Sequence, residues 1–423
     1  MIKWLKNISF SLIGKIIAMI LWLCFDIMAV RVLSVKEYAE WAFFYSILTM
    51  CFYFGWLGIN SSTKVNIAHE NPVILKNSIY TSLIIRLACS IFLVIAMIII
   101  MPRVSYILGY PEKYENLRSL LLILPVIVFF NSITEYNKEL FMGVESFLNV
   151  FIVTVTEFAG FFIFGYVMLK MRNDNIGLAY ACLIGEMLSA LVGVCLILSN
   201  YPLERKIVID KKLVSRIIKY AIPIAFLSWG GLILMEMDTF MLGVLSDAQN
   251  ISSYSIAKNI CAKATHVNYA LTVGVMTSFA VIEEDYSHKK KMFRKASYMN
   301  IVTAFAVAAC LYIMANMLTF ILYGSKYPNA GRLIRILTIY YILYAISNYY
   351  NSFLDFRNRA GTRCIFYLSV IVINLVFNYL WIPTYGADGA AMATILSLVP
   401  YTIMVILQTK HEWNLTENRN NIL

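Results

Sequence analysis

Long apolar stretches alternate along the chain with short polar breaks. A helix needs about twenty mostly apolar residues to cross a hydrocarbon core of roughly 30 Å, and about twelve stretches meet that length. They run over 8–30, 39–61, 79–101, 117–135, 147–169, 177–199, 221–245, 253–282, 298–323, 333–354, 364–382 and 389–408. The pattern predicts an all-α, polytopic membrane protein of about 12 transmembrane helices. The first span follows Lys3 and Lys6 and lacks an Ala-x-Ala-like cleavage site, so it reads as a retained helix rather than a removed signal.

The pattern also repeats. Asp26-Ile-Met-Ala-Val-Arg-Val-Leu-Ser34 returns as Asp238-Thr-Phe-Met-Leu-Gly-Val-Leu-Ser246, at an offset close to half the chain. Gly177, Ala179 and Ala181 return as Gly389, Ala391 and Ala393 at that same offset, and Lys113-Tyr-Glu-Asn116 is echoed by Lys326-Tyr-Pro-Asn329. Two pseudo-symmetric six-helix lobes are expected, at 1–199 and 220–423, joined by a basic linker at 200–219. Duplicated membrane units are characteristic of transporters, whose substrate sites lie at the repeat interface.

Composition agrees with a bilayer environment. Hydrophobic residues make up 60% of the chain, charged residues 14%, and mean hydropathy is +0.72, beyond what a soluble domain of this size carries. The net charge of +11 then becomes topological information. With the N-terminus in the cytoplasm, cytoplasmic segments hold about twice as many Lys and Arg as outer ones, which fits the positive-inside rule and places both termini inside. Nucleic acid is not needed to explain the basic residues. The eight cysteines form no CxxC pair and the four histidines no metal-ligand spacing, so neither metal nor cofactor is expected. There is no GxxxxGK[ST] phosphate loop and no outer loop suggesting a separate catalytic domain.

Two basic segments stand out. The linker carries Arg205, Lys206, Lys211, Lys212, Arg216 and Lys219 among apolar residues at helical spacing, which suits either a helix lying on anionic headgroups or a solvated loop. A second, from Glu283 to Ala296, is expected to be a loop that sets orientation. Within 177–199, Gly177, Ala181, Gly185, Ser189 and Gly193 fall four apart and predict a ridge along which helices approach closely.

Ionisable residues inside spans are the strongest functional pointers, because each is costly in hydrocarbon and faces a bundle interior or a water-filled cavity. They are Lys15, Asp26, Arg86, Glu157, Glu186, Glu236, Asp238, Lys258, Lys263 and His266. Ser255, Asn259, Lys263 and His266 make one polar stripe on a helix. Lys258, nearer a helix end, is open to snorkelling to headgroups, and Lys263 to pairing with a buried carboxylate. Arg86 is placed too deep to snorkel; it suits phosphate oxygens or a partner such as Glu157 or Glu186. Asp26 and Asp238 occupy repeat-related positions, where each either lines a cavity or pairs with a neighbouring basic group such as Arg31.

Several marks spread over the chain resemble a known family. They are Val30-Arg-Val-Leu-Ser-Val-Lys-Glu-Tyr38, with Ala39 where a glycine is usual; Ile218 to Pro223 followed by Asp238 and Tyr254-Ser-Ile-Ala257; and Asn374, Asn378, Ile382-Pro383 and Gly386-Ala-Asp-Gly-Ala-Ala391. In order and spacing the chain resembles polysaccharide flippases of the Wzx type, within the multidrug/oligosaccharidyl-lipid/polysaccharide exporter superfamily. The resemblance implies two lobes around a central cavity with alternating access. It implies an undecaprenyl-diphosphate-linked oligosaccharide, bound for O-antigen, as substrate in the bacterial inner membrane. Membrane lipids and other polysaccharide-assembly membrane proteins are the implied partners. On that reading Lys15, Arg86, Lys263, His266 and Asn259 line the substrate cavity, the bases supplying counter-charge to the diphosphate. Asp26, Glu236 and Asp238 tune that charge or exchange protons. Two rivals stand beside it: a drug/cation antiporter of the same superfamily, and an enzyme, the membrane polymerase that joins such repeat units.

Overall fold

The structure is a computed structural model that describes residues 2–68, 75–202, 211–276, 279, 286–357 and 359–420. Twelve helices account for nearly all of them: α1 (Ile2–Val32), α2 (Val35–Trp56), α3 (Ile59–Ala68), α4 (Leu75–Ile107), α5 (Leu117–Gly143), α6 (Phe147–Arg172), α7 (Asn175–Asn200), α8 (Lys211–Leu245), α9 (Ala248–Met276), α10 (Tyr286–Tyr323), α11 (Ala330–Phe356) and α12 (Ala360–Asn420). There is no strand among the described residues.

The described part of each expected span is helical, residues 277–278 and 280–282 of the span expected over 253–282 lying outside the described residues, and two breaks mean that spans and helices do not correspond one to one. The segment expected as one span over 39–61 is α2 and α3, bent by 42° at Leu57-Gly58, where Gly58 has φ +67. Conversely, α12 contains two expected spans, separated only at Gly386, whose φ of 55° and ψ of −130° interrupt the helix. Both breaks use the positive φ that glycine adopts at little cost. Among the described residues eight helices are long and apolar enough to cross a membrane, or nine if α2 and α3 form one span. The merged α12 counts once there, and α9 is not among them because its polar stripe lowers its hydropathy.

Local chemistry sets the helix starts. Ser34 caps α2 in a reciprocal capping box with Glu37. Asp174 accepts from the Gly177 backbone N–H at 2.8 Å to start α7, and Asp247 from that of Asn250 at 2.9 Å to start α9. Of the basic linker, residues 203–210, with Arg205 and Lys206, lie outside the described residues, while 211–219 open α8 as helix. The second basic segment departs from expectation. From Tyr286 onward it is the first turns of α10, so Lys289 to Lys295 lie on a helix instead of in a loop.

The helices divide into two compact units, Met1–Leu232 and Ile233–Leu423. In the first, the start of α8 belongs with α3: Leu213, Ile217 and Ala221 pack on Ile59, and the Ser62 hydroxyl donates to the Ile217 carbonyl at 2.9 Å. The small-residue ridge of α7 is buried here. An added Cβ on Gly160 of α6 would sit 2.7 Å from the Gly185 Cα, and Ser189 donates to the Val153 carbonyl at 2.8 Å. In the second unit, Phe279, Phe293, Phe353 and Trp413 bring the end of α12 onto α10 and α11, secured by Arg359 to Glu412 at 2.8 Å.

Arg86 serves the bend in the first unit. A helix end leaves its last carbonyls without helical donors. At the end of α2 those of Gly55 and Trp56 receive Arg86 Nη2 at 2.7 Å and Nη1 at 3.1 Å, from a side chain with no exposed surface. The cation also suits the negative end of the α2 dipole. Arg86→Leu strips a buried and a part-buried carbonyl of these donors, and a loss of about 2–4 kcal/mol is expected. Thermal unfolding of the purified variant in detergent measures it, and Arg86→Lys should recover part of the loss.

Candidate functional site

Charged and polar side chains gather at two buried places, one in each unit. In the second unit Asp238 of α8 is 2% exposed and is the acceptor for four side chains. Its Oδ1 accepts from Asn374 Nδ2 at 2.9 Å and Asn378 Nδ2 at 2.7 Å; its Oδ2 accepts from the Tyr254 hydroxyl at 2.5 Å and from Thr394. Asn374 and Asn378 lie one turn apart on the first half of α12 and Thr394 on its second half, so one carboxylate ties both halves to α8 and α9. All four donors are neutral. Beside it Glu236 Oε2 holds Lys258 Nζ at 2.8 Å, and that ammonium also reaches Thr239 Oγ1 at 2.9 Å. Snorkelling by Lys258 is thereby replaced by an ion pair.

The polar stripe of α9 is graded. Asn259 and Lys263 are half-buried and His266 is exposed, whereas Ser255 is buried. In the first unit Lys15 is exposed on α1, and Asp26 is 5% exposed and accepts from the Tyr38 hydroxyl at 3.1 Å. The repeat therefore extends to chemistry, since each unit buries an aspartate that accepts from a tyrosine on the following helix.

Arg86 is placed elsewhere than expected. Its guanidinium donates to the α2 carbonyls rather than pairing with Glu157 or Glu186. The cation at those carboxylates is Lys138 of α5, 8% exposed, which ion-pairs with Glu157 of α6 and holds Glu135 Oε1 at 2.6 Å. Glu186 of α7 completes the group, its Oε1 accepting from Asn131 Nδ2 at 2.9 Å. Lys138 escaped the sequence reading because the span containing Glu135 ends there when judged by apolarity, whereas α5 continues to Gly143. Asn131, Glu135 and Lys138 fall at i, i+4 and i+7, the helical spacing that would have signalled one polar face. Asn374, Asn378 and Thr394 were missed as site residues for another reason: only the fold brings them to Asp238.

A fold of membrane-spanning helices in two units, each with a buried cluster of ionisable and polar groups, defines a polytopic membrane protein. The chain belongs to the family described as polysaccharide biosynthesis protein, which it matches over residues 4–276. This bears out the resemblance drawn from its scattered motifs. It is 21% identical over 278 residues to a probable low-salt glycan biosynthesis flippase, Agl15, of Haloferax volcanii, a match covering 64% of this chain and 56% of that relative. Among solved structures, the lipid II flippase MurJ in an inward closed conformation superposes with a TM-score of 0.78 at 15% identity, covering 98% of this chain and 91% of that one. An inward-facing multidrug resistance MATE family transporter of the MOP superfamily gives 0.75 at 13% identity, covering 95% and 96%.

Proposed function

We propose that the chain is a flippase that carries an undecaprenyl-diphosphate-linked oligosaccharide across the bacterial inner membrane for surface polysaccharide assembly, by alternating access. The family match over residues 4–276 is the observation that carries this reading. Physical chemistry supports the same class of cargo. A diphosphate crossing hydrocarbon needs counter-charge and its sugar needs polar surroundings, while its lipid tail can remain in the bilayer. Lys15 is exposed and Lys263 half-exposed, and His266 and Asn259 extend the stripe of Lys263. Arg86 drops out of the substrate set because both its terminal nitrogens already donate to backbone. Asp26, Glu236 and Asp238 remain the groups that tune this charge or couple transport to an ion.

The test is delivery of a labelled lipid-diphosphate oligosaccharide to the outer leaflet, in a bacterium lacking its own flippase and complemented with this chain. Lys263→Ala should lower the rate about tenfold or more at equal membrane abundance, the scale of losing one charge-assisted contact to phosphate. Unchanged transport in a variant lacking charge at both Lys15 and Lys263 would sink the residue assignment. A second reading, a cation antiporter, draws on the fold likeness to the MATE transporter. Efflux of organic cations without delivery of any of several repeat units would favour it.

A further inference from the structure

The buried group in the first unit has a charge count that does not close. Glu157 is 4% exposed and Glu186 1%, and Glu135 is half-buried against Lys138. The charged and titratable groups that act on them come from α4, α5 and α7. Lys138 of α5 holds Glu135 and Glu157; Arg86 of α4 acts on Glu135 and Lys138 on Glu186; α7 adds the buried Cys182 thiol near Glu186. Lys64 of α3 is matched by Glu139 at 2.8 Å and adds nothing to the sum. Two cations thus face three carboxylates. The surplus falls on Glu186, whose Oε1 has the Asn131 amide while its buried Oε2 has no hydrogen-bond partner. An unpaired charge at such a place is costly, and one proton removes it. A metal cation would need several free oxygens around one point, whereas here the ammonium of Lys138 already occupies the space between Glu135 and Glu157.

The group is also wired to the bend between α2 and α3. Asn131, which donates to Glu186, accepts at its Oδ1 from the Trp56 indole N–H at 3.0 Å, and the Trp56 carbonyl accepts from Arg86. We propose that Glu186 holds an exchangeable proton and that Asn131 and Trp56 convey its loss to the α2–α3 break. Ionised Glu186 repels Glu157 and grips the Asn131 amide more strongly, which pulls on the Trp56 indole at the end of α2. The site is separate from Asp26, Glu236 and Asp238. Its role in transport rests on the flippase reading; its existence does not.

The experiment therefore reads the proton without substrate. Infrared difference spectra of the purified full chain, taken from about pH 5 to about pH 9, should show the carbonyl stretch of a buried neutral carboxylic acid. That band should vanish in Glu186→Gln and persist in Glu236→Gln. Lys138→Met removes one cation and should enlarge it. No such band in the native protein, a band insensitive to both Glu186→Gln and Lys138→Met, or a band abolished by sodium at constant pH would each overturn the proposal. Trp56→Phe, which cuts the link but not the cage, should keep the band and flatten the pH profile of transport. A retained band with an unchanged profile would overturn the link to the bend, and absent transport in the native chain would count against the flippase reading alone.

Discussion

Gly160→Leu is expected to leave little folded protein, as one of the two largest effects in the chain. In lipid there is no hydrophobic drive between helices, so association depends on how closely backbones approach. At the crossing of α6 and α7 the approach is set by two glycines, with an added Cβ on Gly160 only 2.7 Å from the Gly185 Cα and one on Gly185 3.0 Å from the Glu157 carbonyl oxygen. The atoms met by a Cβ on Gly160 are all Gly185 backbone, which cannot swing aside as a side chain would. A leucine must push the helices apart, and overpacking of this kind costs about 1–3 kcal/mol even where a core can adjust. Here separation also disturbs the Ser189 bond to the Val153 carbonyl and the placing of Glu157 against Lys138, so the loss should exceed that range. The yield of monodisperse protein on size-exclusion chromatography in detergent measures it. Ile163→Leu, on the same helix but 55% exposed, should leave the yield unchanged.

The close crossing behind that loss is legible in the sequence itself, as the ridge of small residues from Gly177 to Gly193. The span positions and the duplication are legible for the same reason: a bilayer imposes one length and one polarity rule on every crossing segment, so periodicity and hydropathy carry most of the fold. What they do not carry is partner choice. Asp238 and Glu236 are two residues apart, yet one accepts from four neutral donors and the other holds a lysine, because the donors arrive on α9 and α12 from far along the chain. Arg86 has the right chemistry for a phosphate, but the bend after Trp56 claims it, and nothing near Arg86 in sequence announces that bend. Lys138 was hidden by a different rule: a buried ion pair makes a helical segment read as a loop, since hydropathy assigns each charge its cost and cannot see the partner that offsets it.

At Asp238 two substitutions separate a tie between helices from a role in transport. Asp238→Leu removes the acceptor from two buried amides and a buried tyrosine hydroxyl, while Thr394 retains the Ala390 carbonyl at 2.9 Å. Each stranded donor costs about 1–3 kcal/mol, so a loss of roughly 4 kcal/mol or more is expected, together with loosening of both halves of α12 from α8. Asp238→Asn differs in kind. Its carbonyl oxygen can keep the two asparagine amides, and its NH2 can turn to the Tyr254 and Thr394 hydroxyls, which accept as readily as they donate. What remains lost is the charge that strengthens these bonds, about 1–3 kcal/mol in all. The asparagine variant should therefore fold, with a lowered midpoint in thermal unfolding. If Asp238 tunes charge for the cargo or exchanges an ion during the cycle, the same variant should deliver lipid-linked oligosaccharide at least about tenfold more slowly at equal abundance. Transport at the native rate from a folded Asp238→Asn protein would restrict Asp238 to holding α8, α9 and α12 together, and would leave coupling to Asp26, Glu236 or the cage around Lys138.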